Sequence, residues 1–211
     1  MKNDEIEQQD QAVSNNLRKR TFSSMGWIGF KYLTITPLQI FYFGFVVRWL
    51  DKEAFGECSI VLLIVVLCDL FSNGGLGAAL IRQRKDVAKS LHPAWSFQLV
   101  RGALLSLLIL AIAYPVGYIL DSERIPQLFL LAALIPFIDG FMSMGAVLIG
   151  RQLDVKKWIL LEICTVVIVN CLGMYLAYTL KNSWSLIITA VVGAVIRTLS
   201  SYLVHSYRPR F

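Results

Sequence analysis

The sequence predicts an all-α integral membrane protein with six transmembrane helices and both termini on the cytoplasmic side. Three observations predict it. Hydrophobic residues make up 56% of the 211-residue chain and charged residues only 16%, whereas a soluble domain carries about a quarter charged residues. Six apolar segments each approach the ~20 residues that cross a hydrocarbon core of about 30 Å. Lys and Arg then gather in alternate loops, which is the signature of a chain threaded back and forth through a bilayer.

The first twenty residues, "MKNDEIEQQDQAVSNNLRKR", are acidic, then basic, and almost without apolar content. Such a stretch cannot bury enough surface to fold alone, so it reads as a disordered cytoplasmic tail. No short apolar region with a small-residue cleavage site follows, and no cleaved signal peptide is expected. The remainder, 21–211, reads as one six-helix lobe with spans at about 25–49, 57–81, 94–120, 126–149, 157–179 and 184–205. Trp27, Trp49, Trp95, Trp158 and Trp184 all fall near segment ends, where an amphipathic ring favours the headgroup level. The intervening loops are short, so consecutive helices should be antiparallel neighbours.

Thirteen basic residues lie in the tail, the second and fourth loops and the C-terminal end, against Arg48, Lys52, Arg124 and Lys181 in the opposite loops. The positive-inside rule places the richer side in the cytoplasm. The net charge of +6 is therefore a topology signal, and no nucleic-acid partner is expected. Cys58, Cys68, Cys164 and Cys171 show no CxxC or metal spacing and read as small packing residues. The chain has no GxxxxGK[ST] loop, HExxH pair or GxSxG elbow. It is not expected to be an enzyme, nor to need a metal or other cofactor.

Six ionisable residues remain inside the spans: Lys31, Asp69, Arg101, Asp139, Glu162 and Arg197, one on each helix. A charge left facing lipid at a helix centre costs roughly 2.5–3.5 kcal/mol on insertion scales. Three acids and three bases therefore imply pairing, toward the bundle interior or a water-filled cavity. Polar stripes accompany them: Asp69, Ser72, Asn73 and Gly77 on the second helix, Glu162, Thr165 and Gly173 on the fifth, and Thr189, Gly193, Arg197, Ser200, Ser201 and His205 on the sixth. Counted from the span ends, Asp69, Asp139 and Arg197 fall near mid-depth, with Lys31, Arg101 and Glu162 in the cytoplasmic third. Pro37, Pro115 and Pro136 sit within spans, and the cluster Gly74, Gly75, Gly77 weakens the second. Such breaks allow bending, and small residues spaced four apart, as in Gly173/Ala177, also let helices pack closely.

One block, "LDKEAFGECSIVLLIVVLCDLFSNGGLGAALIRQ" (Leu50–Gln83), resembles the polysaccharide transporter family, the lipid-linked oligosaccharide flippases of the multidrug and oligosaccharidyl-lipid exporter superfamily. "LIGRQLDVKKWILLEI" (Leu148–Ile163) resembles its basic loop and fifth helix, and "VIRTLSSYLVHSYRPRF" (Val195–Phe211) its sixth. The resemblance is nearest to the subgroup associated with colanic acid and other exopolysaccharides. It implies one lobe of a two-lobe flippase fold in the bacterial inner membrane, flipping an undecaprenyl-pyrophosphate-linked repeat unit for polysaccharide biosynthesis. It implies membrane lipids and that lipid-linked oligosaccharide as partners, with a second lobe, a second copy or a polysaccharide synthesis complex. The short length leaves three expectations open: a fragment, a half-transporter or a truncated product.

Within that reading Arg101, Arg197 and Lys31 are the expected substrate-binding residues, since guanidinium and ammonium groups attract phosphate. Asp69, Asp139 and Glu162 are ion-coupling sites or counter-ions, and Gly74, Gly75, Gly77 and Pro136 are hinge or packing positions. The rival readings are a drug or metabolite antiporter of the same superfamily and a non-transporting membrane scaffold, in which the charges would only lock helices together.

Overall fold

In a computed structural model of the chain the backbone is described for residues 2–72, 87–143 and 155–204, and side-chain surroundings for 25–72, 95–143, 156 and 158–202. Among these residues the structure is helical, without a strand. The helices are α1 (Lys2–Trp49), α2 (Lys52–Ser72), α3 (Val87–Ile119), α4 (Arg124–Ala132), α5 (Leu134–Gly140), α6 (Val155–Leu180) and α7 (Trp184–Val204). Among the described residues five stretches are long and apolar enough to cross a membrane: Met25–Trp49, Lys52–Ser72, Trp95–Ile119, Trp158–Leu180 and Trp184–Tyr202.

Two features depart from the sequence reading. The backbone of the polar N-terminal stretch is helical from Lys2 rather than irregular. Its Glu, Gln, Lys and Arg residues are good helix formers, and no Gly or Pro interrupts residues 2–25. The fourth segment is also not one continuous helix. It divides at Ala133 into α4 and α5, then turns at Phe141. Pro136 has no N–H to return to the carbonyl of Ala132, so the ladder is interrupted where the two pieces meet.

α4 is the centre of the bundle. Its Ile125, Leu128, Phe129 and Ala132 are buried against Val61 and Val65 of α2, Ile109 and Ala113 of α3, and Ile187 and Ala194 of α7. α3 lies along α4 and α5 and crosses α5 closely at two glycines, Gly102 and Gly140. A Cβ on Gly102 would stand 2.6 Å from the carbonyl oxygen of Pro136 and 3.0 Å from Cα of Gly140, so only hydrogen fits there.

α1 stands outside this core and packs along α6. Both run in the same direction, joined by Lys156 over Trp27 at 5.6 Å, Lys31 with Glu162, Tyr42 against Gly173, and Trp49 edge-on to Tyr178 at 4.9 Å. At the end of α1, Val46, Leu50 and Ala177 form a separate small cluster. The outward surface is apolar: Leu33, Phe41, Leu70, Phe71, Tyr118 and Ile119 are all well exposed. That surface suits hydrocarbon and would not be tolerated in water. The chain is a multi-pass membrane protein. Trp27, Trp49, Trp158 and Trp184 lie at helix or span ends with rings partly accessible, but Trp95 is only 4% exposed and packs inside the protein.

Candidate functional site

The six intramembrane charges form three ion pairs, each between helices that are not consecutive crossings or that meet across the cytoplasmic-side loop expected from sequence. Lys31 of α1 holds Glu162 of α6 at 2.7 Å. Arg101 of α3 holds Asp69 of α2 at 3.2 Å. Arg197 of α7 grips Asp139 of α5 with a fork: Nη2 donates to Oδ1 at 3.1 Å and Oδ2 at 3.0 Å, and Nε donates to Oδ1 at 3.3 Å. Such pairing removes most of the cost of bringing charge into a low-dielectric layer, provided geometry is good. Pairing of Asp69 with Arg101 also sets level two residues that the sequence count put at different depths. α2 starts at Lys52 rather than 57, which shifts Asp69 toward the basic end.

The pairs are not equivalent. The Arg101 side chain is 13% exposed, and its Nε and Nη1 are buried without a hydrogen-bond partner among the described residues. It is sealed in the wall of the bundle. The Arg197 side chain is 54% exposed. It lines a cavity of about 430 Å³ between α1 and α6 on one side and α2, α5 and α7 on the other.

That cavity takes in part of the polar stripes read from sequence. Glu162, Thr165 and Asn170 of α6 face Gly193, Arg197 and Ser200 of α7, with Gln39 of α1 opposite. Thr165 and Ser200 share a hydrogen bond of 3.3 Å. Asn170 is 7% exposed, and its Nδ2 is buried with no partner among the described residues. Leu62, Val65, Val66, Leu161, Val166 and Val169 supply apolar walls. A few polar groups set in mostly apolar walls, at a volume in the range of small-ligand sites, give this cavity the make-up of a candidate site.

On either side of these cavity residues in α7, Thr189 and Ser201 serve structure. Thr189 donates to the Ser185 carbonyl at 2.7 Å. Ser201 accepts from the Ser143 backbone N–H at 2.9 Å and donates to the Thr198 carbonyl at 2.6 Å, tying the end of α5 to α7. Pro136 is buried at the Gly102 crossing, a packing position. Asn73, Gly74, Gly75, Gly77 and His205 lie outside the described residues.

Sequence reasoning missed Glu57, which it placed at a span boundary. Glu57 is 7% exposed and has no cation within ion-pair distance among the described residues. Ser122 donates to its Oε1 at 2.8 Å and Ser183 to its Oε2 at 2.7 Å. It also missed Gly102 and Gly140, although Gly102 and Ser106 already stand four residues apart as small residues on one helix face. Among the described residues no cluster of His, Cys, Asp and Glu could hold a metal ion.

The chain matches the family described as "Polysaccharide biosynthesis protein" over residues 45–211. It belongs to that family. A relative named succinoglycan biosynthesis transport protein ExoT, from Rhizobium meliloti, is 24% identical over 201 residues, covering 94% of this chain and 39% of the relative. The lipopolysaccharide biosynthesis protein WzxC of Escherichia coli is 21% identical over 193 residues, covering 91% and 38%. A membrane protein in the cps region of Klebsiella pneumoniae is 21% identical over 168 residues, covering 80% and 35%. The chain thus spans less than two-fifths of the length of these relatives. No solved structure matches it.

Proposed function

We propose that this polysaccharide-biosynthesis chain forms one lobe of an exporter that flips an undecaprenyl-pyrophosphate-linked oligosaccharide across the bacterial inner membrane. The observation that carries the reading is the cavity itself: an intramembrane space with a half-exposed guanidinium, a carboxylate and side-chain amides in apolar walls. The names of its relatives, a transport protein for succinoglycan and a lipopolysaccharide biosynthesis protein, support the cargo class. The work is binding and movement, and no enzymatic step is assigned to it.

In this account Arg197 meets the pyrophosphate directly, because it alone of the three paired cations lines the cavity. An anion at the cavity can compete with Asp139 for the same fork of N–H donors. Lys31 adds positive charge at the basic end through its pair with Glu162. Arg101 contributes from within the wall, as a fixed charge balanced by Asp69. The acids Asp69, Asp139 and Glu162 act as counter-ions that keep each cation oriented. A second lobe or a second copy would complete the far wall, and the basic termini would lie in the cytoplasm.

The test is polymer export by cells carrying Arg197→Ala in the full-length protein, with membrane protein level measured alongside. Loss of a charge-assisted hydrogen bond of about 1.5–3 kcal/mol predicts at least a tenfold fall in export at normal protein level. Normal polymer output would remove the cargo role from Arg197.

A further inference from the structure

The end of the molecule opposite the basic loops carries a device that the transport reading does not use. Two turns meet there, the α3–α4 turn at residues 120–123 and the α6–α7 turn at 181–183. Each contains a residue in the left-handed region, Asp121 and Lys181, both with φ of 50°. That conformation is disfavoured for side chains other than glycine by roughly 1–2 kcal/mol, so something must hold both turns in place. Shortly after each left-handed residue comes a serine, Ser122 and Ser183. Both serines donate to the same carboxylate, Glu57, one to each oxygen.

The surroundings make this a closure rather than a chance contact. Beside Glu57, the Cys58 thiol donates to the carbonyl of Ser183 at 2.8 Å and is fully buried. Gly117 lies against the Pro126 ring, which clamps the ends of α3 and α4 together. Ser122 N–H returns to the Gly117 carbonyl at 3.2 Å, and Lys181 N–H to that of Ala177 at 3.2 Å. Directly beneath lies the dry core of Cys58, Val61, Leu128, Phe129 and Ile187. A shallow recess lined by Glu53, Glu57, Asp121 and Glu123, with Arg124, marks the outer face. Three chain segments thus converge on two carboxylate oxygens.

We propose that Glu57 is the clasp of this end of the lobe: by binding Ser122 and Ser183 at once it fixes both turns to α2 and seals Cys58 from that side. Release of the clasp must precede any opening at this end. Glutamine keeps one accepting oxygen and can donate its NH₂ to the other serine hydroxyl, but it loses the charge-assisted character of both bonds and should hold the turns more weakly than glutamate. The proposal is independent of what the cavity carries.

Cys58 is the natural reporter. In protein with Cys68, Cys164 and Cys171 changed to serine, a membrane-impermeant maleimide is applied to sealed vesicles of each orientation, with labelling after denaturation as the total. With Glu57 intact, Cys58 should be unlabelled from either side. Glu57→Ala should raise labelling at least tenfold from the side opposite the basic loops, and Glu57→Gln should give a smaller rise. The double change Ser122→Ala and Ser183→Ala, which leaves the carboxylate, should reproduce most of the Glu57→Ala effect. Should Glu57→Ala fail to accumulate, the serine double decides. The proposal is overturned if Cys58 stays protected in the serine double, if labelling comes from the basic side, or if Cys58 already reacts freely with Glu57 intact.

Discussion

The two ends of this bundle treat buried charge in different ways. Toward the basic end, three acids meet three bases across helix boundaries, and a cavity of about 430 Å³ opens beside one of the pairs. At the opposite end a single carboxylate, Glu57, is held by hydroxyl groups, and the helices close over a dry core. The difference matters for function. An ion pair has a cation that an anionic ligand can recruit, whereas a carboxylate held by serines offers no such exchange. On the proposed reading, ligand chemistry belongs to the paired end and closure to the hydroxyl-bound end.

The largest expected effect comes from the pair with the most buried cation, Arg101. Arg101→Ala leaves Asp69, whose side chain is 48% exposed, without its cation at membrane depth and should lower unfolding stability by about 2.5–3.5 kcal/mol. Asp69→Leu with Arg101→Leu should recover most of that loss, because an apolar pair then replaces two charges within the membrane. Thermal unfolding of detergent-solubilised protein would separate the two outcomes. A double variant as unstable as either single would mean that the pair does more than balance charge.

A second prediction sharpens the packing side of the comparison. Gly102→Ala places a methyl 2.6 Å from the Pro136 carbonyl oxygen and should cost about 1–3 kcal/mol through forced separation of α3 and α5. Gly56→Ala has nothing within 4 Å of its new methyl and should be neutral within error. Equal stability of the two variants would contradict the close crossing. The smallest effect is expected at the rim of the cavity. Thr165→Val removes the hydroxyl contact with Ser200 and should cost about 0.6 kcal/mol, the average for an interhelical hydrogen bond in a membrane.

How much of this was legible beforehand follows from what hydropathy and charge can encode. The spans are readable because an apolar run of that length has few alternatives to a membrane. That six lone charges should pair is equally readable, because none is stable alone in lipid. Which acid meets which base is not, because that depends on helix order around the bundle: Lys31 finds Glu162 only because α1 lies beside α6. The division at Ala133 was half legible. Pro136 announced a broken ladder, but not where the two pieces would part. Glu57 was hidden by context. It follows Asp51 and Glu53 and looks like a solvated turn residue until Ser122 and Ser183, 65 and 126 positions away, are brought to it.

The central claim, that the paired end binds an anionic lipid through Arg197, is tested most directly by native mass spectrometry of the full-length, detergent-extracted protein with undecaprenyl pyrophosphate and, separately, uncharged undecaprenol. The pyrophosphate should bind clearly in preference to the alcohol, with at least a tenfold loss of that preference in Arg197→Ala with the protein still folded. Equal binding of both lipids, or an unchanged preference in Arg197→Ala, would contradict it.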